Sequence, residues 1–151
     1  MNKLLFHCEI PVDKHISKKN QKTIRYNPKS GRRYIGTRKE TAQELKNMQF
    51  HISVALNNTI GLDFPLAQPL HAKFLFYYPD ILVRRRKTLP DLTKKPGNLI
   101  DLSNLIQGVE DSLQSEGVIK DDKLIESYDG TRRIYHADEL KIEVFIYDFI
   151  E

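Results

Sequence analysis

The apolar positions along the chain follow two different periods. Leu70, Ala72, Phe74, Phe76 and Tyr78 alternate with more polar residues over 69–78. An extended chain points successive side chains to opposite faces, so this segment is predicted to be a strand with one buried face. Residues 140–149 repeat the pattern, with Leu140, Ile142, Val144 and Ile146 set against Lys141, Glu143, Phe145 and Tyr147. Between them in period, though earlier in sequence, Leu45, Met48, Ile52, Ala55 and Leu56 recur at helical spacing. The helix they define opens at Thr37-Arg38-Lys39-Glu40, which has the spacing of a capping box, and runs out near Asn57-Asn58 before Gly61. Its stripe is core, packed on the 69–78 strand.

A second helix is predicted from about Asn98 to about Ser115. On a helical wheel Leu102, Leu105, Ile106, Val109 and Leu113 fall within one arc of about 100°. The remaining segments are shorter. Residues 3–10 form a first strand ended by Pro11, and the basic, turn-rich stretch 13–36 predicts a hairpin with a basic tip. Residues 79–97 carry three prolines and a run of basic residues, which makes a long loop. Asp129-Gly130 has the composition of a hairpin turn, but residues 123–135 read better as one strand bulged there, with the turn into the last strand at His136–Glu139. The sum is one α+β domain over 1–151, a mixed, mostly antiparallel sheet with two helices packed on one face. No internal repeat is present.

Composition narrows the class. Hydrophobic residues at 40% and charged residues at 29% are ordinary for a soluble globular domain. The single Cys8 excludes an intramolecular disulfide and fits a reducing cytosol, so a cytoplasmic location is expected. No apolar run approaches the roughly 18 residues of a membrane span, and the first apolar stretch is broken by His7 and Glu9, unlike a signal peptide. Neither GxxxxGK nor GxGxxG occurs, so no nucleotide cofactor is expected. His7, His15, His51, His71 and His136 stand singly and read as packing or surface residues.

The net charge of +4 is modest, but the positive charge is clumped at Lys18-Lys19, Arg32-Arg33, Arg84-Arg85-Arg86-Lys87, Lys94-Lys95 and Arg132-Arg133. A solvated face explains any one pair as well as a ligand does. The run at 84–87 suits phosphate better.

Asp101, Asn104, Gly108 and Asp111 share an arc about 80° wide beside the apolar stripe of the second helix. Asp121-Asp122 follows where the chain turns into the next strand. If that strand lies beside the helix, Asp101, Asp111, Asp121 and Asp122 converge. Converging carboxylates repel unless a cation neutralises them, and oxygen ligands without histidine or cysteine favour Mg²⁺ or Mn²⁺. Singly, each acid has an ordinary explanation. Asp101 would complement the dipole at a helix start capped by Asn98, Asp111 would be a surface acid, and Asp121-Asp122 would be turn residues.

The 101–125 segment resembles the signature of the RusA-type Holliday-junction resolvase (crossover junction endodeoxyribonuclease) family. That signature is Asp-x-Asp-Asn-Leu, a Lys two residues past the Leu, an Asp seven past the Asn, and an Asp-Asp pair seventeen and eighteen past it. With Asn104-Leu105 as the anchor, Asp101, Asp111, Asp121 and Asp122 all fall into register. The register through Asn98-Leu99 fails, placing Leu105, Ser115 and Glu116 at the acidic positions. The resemblance implies a homodimer that cleaves four-way junctions and other branched DNA. It implies that Asp101 and Asp122 hold Mg²⁺ (or Mn²⁺), with Asp111 and Asp121 in support. Phosphate contacts would then come from Lys18, Lys19, Arg32, Arg33, Arg84, Arg85, Arg86, Lys87, Lys94 and Lys95, reading shape and not sequence.

Three positions depart from the family pattern. Ser103 replaces its second Asp and Gln107 its Lys, and Ile100 stands where a Pro is expected. A Mg²⁺ site loses a carboxylate and the transition state a cation. A branched-DNA binding protein with a weakened or inactive metal site is therefore the alternative. A small interaction protein unrelated to DNA is a third possibility. Metal affinity separates the first two readings, and salt-dependent junction binding separates both from the third.

Overall fold

The computed structural model describes residues 2–16, 22–26, 29–30, 33–37, 39–79 and 100–150, with backbone alone for 22–26, 33–37 and 39–40. Strand β1 (Leu4–Pro11) is followed by β2 (Lys22–Tyr26) and β3 (Arg33–Thr37), then helix α1 (Lys39–Asn57) and β4 (Leu70–Pro79). Helix α2 (Leu102–Ser115) comes next, then a 3-10 turn (Asp122–Leu124), β5 (Ile125–Ser127), β6 (Arg132–Ala137) and β7 (Lys141–Asp148). The loop expected at 79–97 lies, beyond Pro79, outside the described residues. Among the described residues no helix is long and apolar enough to cross a membrane.

The main sheet runs β1-β7-β4, with β5 and β6 both along the far edge of β4. The β1–β7 and β7–β4 pairs are antiparallel, and β5 and β6 are parallel to β4, so the sheet is mixed as expected. The hairpin predicted within 13–36 forms from β2 and β3, paired from Lys22↔Thr37 to Tyr26↔Arg33.

Leu70, Ala72, Phe74, Phe76 and Tyr78 are all buried, as are Ile142, Val144 and Ile146, so both alternating segments turn the expected face inward. These residues join Cys8 and Ile10 of β1, Met48 and Ile52 of α1, and Leu105, Val109 and Leu113 of α2 in one core. Both helices therefore cover the same face of the sheet. Removing such apolar surface from water, at about 25 cal/mol per Å², is the main force holding the layers together.

Residues 125–137 act as one interrupted strand. β5 pairs with the start of β4 at Leu70↔Ile125, and β6 with its later part from Leu75↔Arg132 to Pro79↔Ala137. At the interruption Thr131 N donates to the Tyr128 carbonyl at 2.9 Å. Gly130 sits there at φ 89°, and a Cβ on it would come within 2.8 Å of Lys73 Cδ. Asp129-Gly130 is thus a bulge, not a hairpin turn. The chain leaves β6 through His136, at φ 61°, and crosses the end of β4 to begin β7 on its other side.

Candidate metal centre

Helix α2 carries the site, and both its ends are set by specific contacts. At the start, Arg133 Nη2 on β6 donates to the Ile100 carbonyl at 2.6 Å. Asp101 follows with φ −56° and ψ 138°, outside helical space, and is the N-cap. Its carbonyl accepts from Asn104 N at 3.0 Å and Leu105 N at 3.2 Å. The helix therefore starts at Leu102, later than the Asn98 expected, because the Ile100 carbonyl is bound to the sheet edge. Residues 98 and 99 lie outside the described residues. Asp101 is the cap, not a first-turn residue, but still sits at the positive end of the helix dipole.

At the other end Gly117 adopts φ 79°, the left-handed conformation that closes a helix cheaply only in glycine. Val118 N then reaches back to the Leu113 carbonyl at 2.9 Å. Leu66 N donates to Val118 O at 2.8 Å and Lys120 N to Leu66 O at 2.9 Å, pinning the exit to the segment before β4. This anchoring delivers Asp121-Asp122 beside the last turns of α2. Asp122 N donates to Gln114 Oε1 at 3.3 Å, and Asp121 Oδ1 accepts from Lys123 N at 2.9 Å, capping the 3-10 turn.

The acids at this end feel one another. Hydrogen bonding to Asp121 raises the Asp122 carboxyl above its ordinary range, and burial and the charges of Asp121 and Asp111 add to the effect. Asp121 moves the opposite way, held low by the Lys123 N–H, its bond with Asp122 and the Lys123 charge. Crowding of carboxylates of this kind is what a divalent cation would relieve.

Glu110 belongs to the same group. It is buried, and its carboxyl is raised by that burial and by the charges of Asp122 and Asp111, against a hydrogen bond from the Tyr128 hydroxyl. Tyr128, on the bulge between β5 and β6, is pushed well above the ordinary phenol range by burial, by that bond and by the charges of Glu110 and Asp122. Sequence reasoning passed over both residues. The signal for Glu110 was its position, four residues after Ile106 and three before Leu113, at the edge of the apolar stripe, where an acid needs a partner.

Asp101 stands apart. Ten residues of helix at about 1.5 Å each place it roughly 15 Å along the axis from Asp111. An ion about 2 Å from each ligand oxygen does not span that gap. The expected convergence of Asp101, Asp111, Asp121 and Asp122 thus divides within one chain. Asp111, Asp121 and Asp122 lie at the C-terminal end of α2 and Asp101 at its start. Among the described residues one group of three His, Cys, Asp or Glu side chains brings its ligand atoms within 4.8 Å of one another, and it is not this one.

Of the basic residues expected to meet phosphate, Lys18, Lys19, Arg32, Arg84, Arg85, Arg86, Lys87, Lys94 and Lys95 lie outside the described residues, as does the side chain of Arg33. The Arg132-Arg133 pair is split. Arg132 is exposed, while Arg133 is half-buried and engaged with Ile100.

A family model for the endodeoxyribonuclease RusA matches residues 11–147 of the chain. No curated protein matches it.

Proposed function

Because the chain belongs to the RusA endodeoxyribonuclease family, we propose that it is a Mg²⁺-dependent, structure-selective endonuclease that resolves Holliday junctions or other branched DNA in recombination and repair. The family consists of Holliday-junction-resolving endonucleases that bind branched DNA and depend on metal ions. The observation that carries the reading to these residues is the placement of Asp121-Asp122 beside the last turns of α2, where Asp122 N meets Gln114 and the charges of Asp121 and Asp111 reach the Asp122 carboxyl. All the donors are carboxylate oxygens, a set suited to Mg²⁺ or Mn²⁺. The chemistry such an ion supplies when bound is activation of a water and stabilisation of the leaving oxygen in phosphodiester hydrolysis.

Asp122 is proposed as a direct ligand, with Asp111 and Asp121 supporting it. Glu110, held by the Tyr128 hydroxyl, lies against the same group of acids. The family resemblance assigns Asp101 to the same ion as Asp122, yet α2 separates Asp101 from Asp111 by about 15 Å. A homodimer reconciles the two. A two-fold axis running across α2 would set the N-terminal end of the helix in one copy beside its C-terminal end in the other, so that Asp101 of each copy would complete the site of its partner. A four-way junction is itself two-fold symmetric and needs two matched nicks.

The test is a labelled four-way junction incubated with Mg²⁺ or Mn²⁺. Paired symmetric nicks that vanish in Asp122→Asn support the endonuclease. The second reading, a junction-binding protein that does not cut, is favoured by Ser103 and Gln107, both exposed on α2 where the family has Asp and Lys. Salt-sensitive junction binding without nicks under either ion would establish that second reading in place of the first.

A further inference from the structure

The face of the sheet turned away from the helices carries a separate group of ligating side chains. In the β1–β7 ladder Glu9 lies directly opposite Glu143, and His7 opposite Phe145. The imidazole of His7 and the carboxylates of Glu9 and Glu143 each place one ligand atom within 4.8 Å of the others. Two like charges directly across a ladder destabilise it unless something lies between them. The present compensation is partial. Lys141 Nζ reaches Glu9 Oε1 at 3.4 Å but shares itself with Glu139 Oε1, also at 3.4 Å.

We propose that His7, Glu9 and Glu143 form a second metal site, taken by Zn²⁺, that ties the edge strand β1 to β7. One imidazole with two carboxylates is a borderline donor set, which suits zinc and discriminates against Mg²⁺. Tetrahedral zinc with bonds of about 2.0–2.2 Å needs its ligand atoms roughly 3.4 Å apart. His7 Nε2 and Glu143 Oε2 are at 2.8 Å, and Glu9 offers an oxygen within 4.8 Å of both, so the spacings bracket that value. The supporting contacts are already in place. The Tyr77 hydroxyl donates to the other oxygen of Glu143 at 2.7 Å, and the His7 ring leans on Phe145 with centroids 4.7 Å apart. Such outer contacts fix ligand orientation at metal sites. Glu9 and His7 are exposed, which leaves the fourth position to water. This site is independent of the acids on α2 and of the endonuclease reading.

The experiment titrates the full-length, metal-stripped chain carrying Asp111→Asn and Asp122→Asn with ZnCl₂, followed by calorimetry and by thermal unfolding. These two changes remove the α2 acids as competing ligands. The expected result is one zinc bound with micromolar affinity and a raised Tm. On this background Glu9→Gln and His7→Gln should weaken binding by more than the roughly 10- to 100-fold typical of outer contacts. Tyr77→Phe should weaken it about tenfold. Lys141→Met, which removes the competing cation, should tighten it. Glu9 is exposed, so its variant folds and reads metal affinity alone. Failure of the parent to bind zinc at micromolar concentration would overturn the proposal, as would unchanged affinity in the Glu9→Gln protein.

Discussion

His15 is a histidine kept neutral by the fold. Its Nε2 donates to the Tyr77 carbonyl at 2.9 Å, and its ring packs between Phe76 and Tyr78. Burial pushes it from the ordinary 6.5 down to about 4, with the Arg133 charge adding to the effect and the Tyr77 bond opposing it. The unfolded chain therefore takes up a proton between about pH 6.5 and 4 that the native state refuses. Stability from this group is full above pH 6.5 and is lost as pH falls toward 4, amounting to about 3 kcal/mol. Urea unfolding at pH 7 and pH 4.5 should show a smaller acid-induced loss in His15→Leu than in the unaltered protein. Equal losses would contradict the assignment. Ser103 and Gln107 pose a different question, since both are exposed on the polar side of α2. Ser103→Asp with Gln107→Lys restores the charges that the family signature carries and leaves the core untouched. Mg²⁺-dependent junction cleavage should rise about tenfold or more, given that one lost transition-state contact commonly costs on the order of 10²-fold. A folded, junction-binding double variant with no gain would show that the site does not use these positions.

The Tyr128 hydroxyl on the β5–β6 bulge ties to α2 by donating a hydrogen bond to Glu110. Tyr128→Phe leaves a buried carboxyl without its donor and should cost about 1–3 kcal/mol. Glu110→Gln keeps an acceptor and sheds the charge facing Asp111 and Asp122, so it should cost less. A double-mutant cycle with Glu110→Leu and Tyr128→Phe should give a coupling above about 0.5 kcal/mol in denaturant unfolding, and additive effects would deny the tie. The same elements show what the sequence could and could not reveal. The buried faces of β4 and β7 were legible because a period of two leaves little choice once one side is apolar. The last strand pair was legible as a bulged strand followed by a turn near His136. The start of α2 was not, because it is decided by Arg133, 33 residues from Ile100 in sequence. Glu110 was overlooked because its partner, Tyr128, comes from an irregular bulge that no periodicity marks.

For the molecule as a whole, the signature spacing around Asn104-Leu105 identified the family, and the match over residues 11–147 bears it out. Spacing along a helix does not show which acids meet, however. The wheel put Asp101 and Asp111 on one arc, but the rise of the helix keeps them about 15 Å apart. The site proposed above, shared between two copies, accommodates that separation, and mixing variants tests it. Asp101→Asn and Asp122→Asn proteins should each be inactive on a four-way junction with Mg²⁺. Unfolded together and refolded at equal amounts, half of the dimers carry one of each. In a shared arrangement each mixed dimer has one site with both changes and one with none. Such a mixture should regain about a quarter of the unaltered site activity, as single nicks in place of paired ones. If each site were built within one chain, every site in the mixed dimer would carry a lesion. No recovery of nicking from two inactive variants that refold and bind junctions, set beside an active unaltered protein, would contradict the account.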